Sequence, residues 1–258
     1  MRGARGCGEI ACLVRLRIRA AMRERLYLAA LAGAGGVVSV AHSLRGWVTE
    51  VDRWTLTLDL GMAALNAAGG VLALIVTVQA WFADVINGWG RGVLATAVDL
   101  RRWLVVHGLA AAVLALGLCA VFAVAVVLAS EDGALTRDRG VRGVMALGWM
   151  WLKLTAMAVL ALSIAALSRT PSNATVAAAG VLLLGHLHPL MSVLADSGGW
   201  SAMGWTACAA VTPDFAALEV SAEWIAHGGA DGPRLRVAEC AVLGGWASVG
   251  CWRVCSRE

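Results

Sequence analysis

The chain has 258 residues, of which 60% are hydrophobic and 15% charged, with a net charge of +4 and a mean hydropathy of +0.75. That balance excludes an ordinary soluble domain, and it excludes a disordered chain, whose charge would exceed its apolar content. Seven cysteines spread over this length exclude a small disulfide scaffold.

Residues 1–25 form a basic leader. A helix from Ile10 to Arg25 places Ile10, Leu13, Val14, Ile18, Ala21 and Met22 on one face and Arg15, Arg19 and Arg23 on the other, with Arg17 interrupting the apolar face. Two readings stand: an amphipathic helix lying in the cytoplasmic interface on anionic lipid, or a basic tail that only sets topology.

A helix needs roughly 20 apolar residues to cross a hydrocarbon layer about 30 Å thick. Six stretches approach or exceed that length, at 26–44, 60–83, 103–129, 143–168, 174–195 and 237–252, followed by a short tail at 253–258. They are continuous, rich in Ala, Leu and Val, and lack the two-residue alternation of a membrane barrel. The expected fold class is an all-α polytopic membrane protein with six transmembrane helices and a cytoplasmic N-terminal amphipathic helix. Small residues that would let helices approach closely are Ala63, Ala64, Ala67 and Gly70 in the second span and Ala111 and Ala115 in the third.

Charge sorts the loops into two sets. Segments 1–25, 84–102, 169–173 and 253–258 hold 13 basic and five acidic residues, whereas the other three loops hold seven basic and 11 acidic. By the positive-inside rule both termini are cytoplasmic, and the net positive charge records topology rather than nucleic-acid binding. The large outer segment 196–236 contains Trp200, Trp205, Phe215, Trp224 and Ile225, so short helices resting in the interface or re-entering the membrane are expected there.

Three stretches carry a family resemblance. The inner loop Asp84-Val-Ile-Asn-Gly-Trp-Gly-Arg-Gly-Val-Leu-Ala-Thr-Ala-Val-Asp-Leu-Arg-Arg-Trp103 leads into Val105, Val106 and Gly108. Leu152-Lys-Leu154 continues through Ser163-Ile-Ala-Ala-Leu-Ser-Arg-Thr-Pro171 to Leu184-Gly-His186. Val211-Thr-Pro-Asp-Phe215 with Leu218 precedes the last span. Their order, from about Arg23 to the C-terminus, resembles the ABC-2-type permeases grouped with multi-copper enzyme maturation. The resemblance implies a permease subunit, an exporter, in the bacterial plasma (inner) membrane. It would be driven by a separate ATP-binding ABC subunit and paired with a second permease subunit in a homo- or heterodimer. It also places the ATPase-coupling segment at 84–102, with Asp84, Arg91, Asp99, Arg101 and Arg102 as its charged residues. The chain departs from the family there: Gly88, Trp89 and Gly90 replace an acidic and basic run, Asp99 replaces a proline, and Leu109 replaces a lysine. A membrane scaffold or assembly factor with a permease-like fold is the alternative.

The residues bear on this independently. A phosphate-binding P-loop needs a Gly-rich turn followed by Lys and Ser or Thr. Lys153, the only lysine, lies in the apolar run Trp151-Leu-Lys-Leu-Thr155 with no such turn before it. ATP hydrolysis is therefore expected in another chain, and no enzymatic motif such as H-E-x-x-H or G-x-S-x-G is present. Without the resemblance, segment 84–102 is a connector, with Arg101 and Arg102 at the headgroups and Trp81 and Trp103 as belt residues.

Ionisable groups inside a span point to function, because each costs about 2.5–3.5 kcal/mol on insertion scales. Lys153, His186 and Glu239 are these candidates. Lys153 has three readings: lining a substrate path, pairing with Glu239, or snorkelling to the outer interface beside Trp149 and Trp151. His186 and His188 diverge by about 200° on a helix unless Pro189 unwinds it, so neither a metal nor any other cofactor is expected. His107 reads as an interface residue, and Cys208 and Cys240 as unpaired small hydrophobes, with one disulfide on the outer face as the alternative.

Overall fold

The computed structural model describes residues 3–44, 53–86, 100–129, 137–196, 200–219, 224–225 and 242–249. Among them there is helix and no strand. The elements are α1 (Gly3–Ala21), α2 (Arg25–Leu44), α3 (Arg53–Val71), a π-helical turn (Leu72–Thr77), α4 (Val78–Ile86), α5 (Leu100–Ala129), α6 (Arg137–Leu167), α7 (Pro171–His186), α8 (His188–Asp196) and α9 (Trp200–Val211). Residues 242–249 are helical as well.

Three helices among the described residues are long and apolar enough to cross a membrane: Thr55–Asp84, Arg102–Leu128 and Arg137–Leu167. A fourth is reached if Pro171–His186 and His188–Asp196 count as one bent span. The apolar core of α2 is shorter, Tyr27–Val40. Of the stretch 237–252, only 242–249 is described, and Trp246 Nε1 there donates to Val211 O at the end of α9. The outward faces carry many large apolar side chains. Along α5, Val105, Leu109, Val113, Leu116, Val124 and Leu128 are exposed, as are Val144 on α6 and Val176 on α7. A continuous exposed apolar surface of this kind is what a lipid-facing bundle presents and a soluble monomer avoids.

The span expected at 174–195 is bent rather than straight. It is two helices bent by 65°, because Pro189 has no N–H to offer the carbonyl of Gly185 and its ring crowds that carbonyl. The freed carbonyl is not wasted, since Phe215 N donates to Gly185 O at 3.1 Å. At its other end α7 starts at Thr170, whose hydroxyl accepts from Asn173 N, with Pro171 pre-set for the first helical position. Residues 53–86 are one helical rod interrupted by the π-turn, where Thr77 Oγ1 donates to Leu72 O at 3.3 Å.

The helices α5 and α6 pack together, α3 lies against both, and α2 packs on α3 and α5. Hydrogen bonds between helices lock them. Tyr27 OH on α2 donates to Leu114 O at 3.2 Å, and Trp151 Nε1 on α6 donates to Ala112 O at 2.8 Å. Trp151 is thus tied to the interior rather than to an interfacial belt. On α3, Ala63 and Ala67 of the expected small-residue stripe face outward. The close approaches are at Gly61, under the ring of Phe122, and at Gly69, against the Leu154 side chain. On α5, Ala111 and Ala115 are buried in the core.

Candidate functional site

The bend between α7 and α8 builds a polar site out of apolar helices. The segment 212–219 leaves α9 and folds back onto the bend: Asp214 Oδ1 accepts from Ala217 N, which tightens the turn, and Phe215 is fully buried. Gly185 is the seat of Phe215. A Cβ at Gly185 would stand 2.5 Å from the Phe215 ring and 2.8 Å from Pro213 O, so only glycine lets the two backbones approach this closely. The docked segment delivers Glu219 to Lys153, whose Nζ donates to Glu219 Oε1 at 2.7 Å.

Lys153 is 0% exposed, whereas the Glu219 side chain is 47% exposed. Lys153 on α6 and His186 on α7 stand at nearly the same depth, each roughly 20 Å along its helix from the turn that joins the two at about 1.5 Å per residue, which explains why they meet. The amine is therefore an inner group, not a snorkelling one. The partner it finds is Glu219, which sequence reasoning placed in an outer loop; Glu239 lies outside the described residues.

The histidines flank this pair in different ways. His186 Nδ1 faces Leu182 O at 2.9 Å, its Nε2 is 4.0 Å from Glu219 Oε1, and its ring lies over Phe215. His188 Nδ1 is 3.4 Å from Asp214 Oδ2 and its Nε2 is 3.2 Å from Ala209 O. Each of the two serves its own carboxylate, and no group of three or more metal-ligating side chains occurs among the described residues. The cluster sets Lys153 and two imidazoles against Glu219 and Asp214, so it can bind a small charged group, with the half-exposed Glu219 as its outward member.

A second polar cluster lies where α1, α4 and α5 meet. Arg17 Nη1 is 3.2 Å from Asp84 Oδ1, and His107 Nε2 is 3.1 Å from Asp84 Oδ2. His107 Nδ1 faces Trp103 O at 3.0 Å, and the edges of Trp81 and Trp103 pack round its ring. Both tryptophans and His107 are buried between the helices. Burial pulls the Arg17 guanidinium below its usual pKa; Asp84 and then Glu24 draw it back up, and arginine stays charged throughout.

Of the residues expected to couple to an ATPase, Asp84 is thus held within the bundle, Arg101 lies in the first turn of α5, and Arg102 is exposed. Arg91 and Asp99 lie outside the described residues. Cys208 is an exposed free thiol, and Cys240 lies outside the described residues. Sequence reasoning missed Glu219 and the roles of Arg17, His107 and Asp214. A signal was available for one of them: Arg17 was the single charge on an otherwise apolar face. No family model matches the chain, and no curated protein or solved structure matches it.

Proposed function

We propose that the chain is the membrane-spanning permease subunit of an ATP-driven ABC transporter of the ABC-2 type, an exporter that lacks its own ATPase. In this reading six helices cross the bacterial inner membrane with both termini cytoplasmic. A second permease subunit completes the pathway, and a separate ATP-binding subunit drives it. The observation that carries the proposal is the Lys153–Glu219 pair beside the α7–α8 break. A charge near mid-span and a discontinuous helix are each costly in lipid, and they occur together where transporters bind or gate their cargo. The contact between Arg17 and Asp84 supports the orientation, because it brings the basic leader to the same end of the bundle as segment 84–102. In this reading segment 84–102, with Arg101 and Arg102, is the docking element for the ATPase.

Purification of the tagged chain in mild detergent tests this. A stoichiometric ATPase subunit should accompany it, and ATP turnover should fall when Arg101 and Arg102 are both replaced by alanine. If the chain comes without an ATPase, the transporter reading fails.

One observation favours a second reading, a non-transporting membrane scaffold or assembly factor. Asp84, the first charge of the expected coupling segment, is already engaged by Arg17 and His107. On that reading other membrane proteins accompany the chain, and replacing Arg101 and Arg102 leaves their yield unchanged.

A further inference from the structure

A cavity of about 150 Å³ opens between α1, the π-turn, α4 and α5. Its walls are mostly small and apolar, among them Ala20, Val76, Ala110 and Leu114. Its polar lining is Arg17, Glu24, Thr77, Gln79 and His107. Glu24 and Gln79 are exposed, so they mark the mouth, and Thr77 already donates to Leu72 O. Arg17 and His107 remain at the inner end.

Both are incompletely satisfied. Arg17 Nη2 and His107 Nε2 are buried atoms without a hydrogen bond, although His107 is only 3% exposed overall. Nε2 stands at ion-pair distance from Asp84 Oδ2, but the two are misaligned and neither makes a hydrogen bond. The other ring nitrogen faces Trp103 O and carries the hydrogen there, so an N–H at Nε2 makes the ring a donor on both sides. Buried donors are nearly always satisfied in native proteins. Here a cationic donor, Arg17 Nη2, and a buried ring nitrogen, His107 Nε2, border one mostly apolar pocket.

We infer that this pocket binds the acidic head of a membrane amphiphile, a carboxylate or phosphate group carrying a hydrocarbon chain. The oxygens of the head accept from Arg17 Nη2 and His107 Nε2, in the charge-assisted geometry that holds such groups most firmly. The first methylenes lie against the alanine walls, and the rest of the chain leaves by the mouth. A volume of about 150 Å³ leaves room for a small head and its first methylenes. Since Arg17 stands on α1, an occupied pocket fastens α1 to α4 and α5. The site is separate from the Lys153–Glu219 cluster and does not depend on whether the chain transports.

The test measures equilibrium binding to the purified full chain in an uncharged detergent, with laurate, phosphatidylglycerol, dodecanol and inorganic phosphate as probes. Laurate or phosphatidylglycerol should bind saturably, while dodecanol, which lacks the acid, and phosphate, which lacks the chain, should not. Binding of laurate alone identifies a free fatty acid as the occupant, binding of phosphatidylglycerol alone identifies a lipid headgroup, and binding of both supports recognition of the head in either setting. Arg17→Gln and His107→Gln should each weaken binding about tenfold or more. Ala110→Leu fills the pocket and leaves both donors in place, so it should abolish binding even where the charge variants fold poorly. If neither acid binds, if dodecanol binds as well as laurate, or if Ala110→Leu binds as the wild type does, the inference is overturned.

Discussion

Arg17 meets Asp84 at 3.2 Å, joining the basic leader to the end of α4. Among the described side chains of α1 the guanidinium is the charge that turns inward, and the carboxylate it reaches also faces His107. The leader is therefore packed onto α5 by a charge and not merely laid beside it. Removing either partner strands the other in a site where both side chains are mostly buried. Arg17→Gln and Asp84→Asn should each cost about 2 kcal/mol, less than the 3–5 of a fully buried pair because both retain some exposure. The double variant should cost less than the sum, with a coupling of about 1–2 kcal/mol, measured by titrating unfolding in mixed micelles. Strict additivity would mean that the pair contributes nothing.

The Lys153–Glu219 pair should respond asymmetrically. Glu219→Gln leaves an ammonium with no exposure to solvent, whereas Lys153→Met leaves a carboxylate that is 47% exposed. An uncompensated buried charge costs several kcal/mol and a hydrated one costs little. We therefore expect a loss of about 3 kcal/mol for Glu219→Gln and of about 1 kcal/mol or less for Lys153→Met. Equal losses, or the reverse order, would place the amine in a wetter setting than its burial indicates.

Two glycines on apolar helices should behave in opposite ways. At Gly185 an added methyl meets the Phe215 ring and the Pro213 carbonyl, and a backbone oxygen cannot swing aside as a side chain can. Gly185→Ala should cost about 2 kcal/mol or more and lift segment 212–219, so that Glu219 leaves Lys153. Gly70 has only Met157 Cε near it, at 3.7 Å, which is ordinary contact. Gly70→Ala should be neutral or stabilise by up to about 1 kcal/mol, the gain in helix propensity. Protease nicking within 212–219 reports the first change, and micellar unfolding reports both.

These residues also show what was legible in the sequence. The long helices were, because a run of roughly 20 apolar residues has few other stable forms; the bend at Pro189 entered only as an exception to a straight span. The facing surfaces were not. Ala63 and Ala67 look as able as Gly61 and Gly69 to seat a neighbour, and only the packing of α3 on α5 and α6 chooses between them. The site was half legible. Lys153 and His186 stood out as ionisable groups in apolar runs, but Glu219 lay in a polar segment where a carboxylate is unremarked. Its role depends on Phe215 returning to the Gly185 carbonyl that Pro189 left free, a contact between separate elements that no local pattern encodes. Arg17 was legible as an exception and not as a partner, since nothing in its neighbourhood names Asp84.

Trp151 separates an interior anchor from an interfacial one. Its indole N–H donates to the carbonyl of Ala112, a residue near the middle of α5. Such a bond joins two apolar helices where water cannot compete, and interhelical bonds in that setting average about 0.6 kcal/mol and reach about 1.7. Trp151→Phe keeps most of the packing and removes only the donor, so it should destabilise the bundle by about 1 kcal/mol. The loss should be the same in short-chain and long-chain phosphocholine micelles, because the contact is between helices. A belt tryptophan would give a loss that varies with micelle thickness, since it works by matching the apolar length to its surroundings.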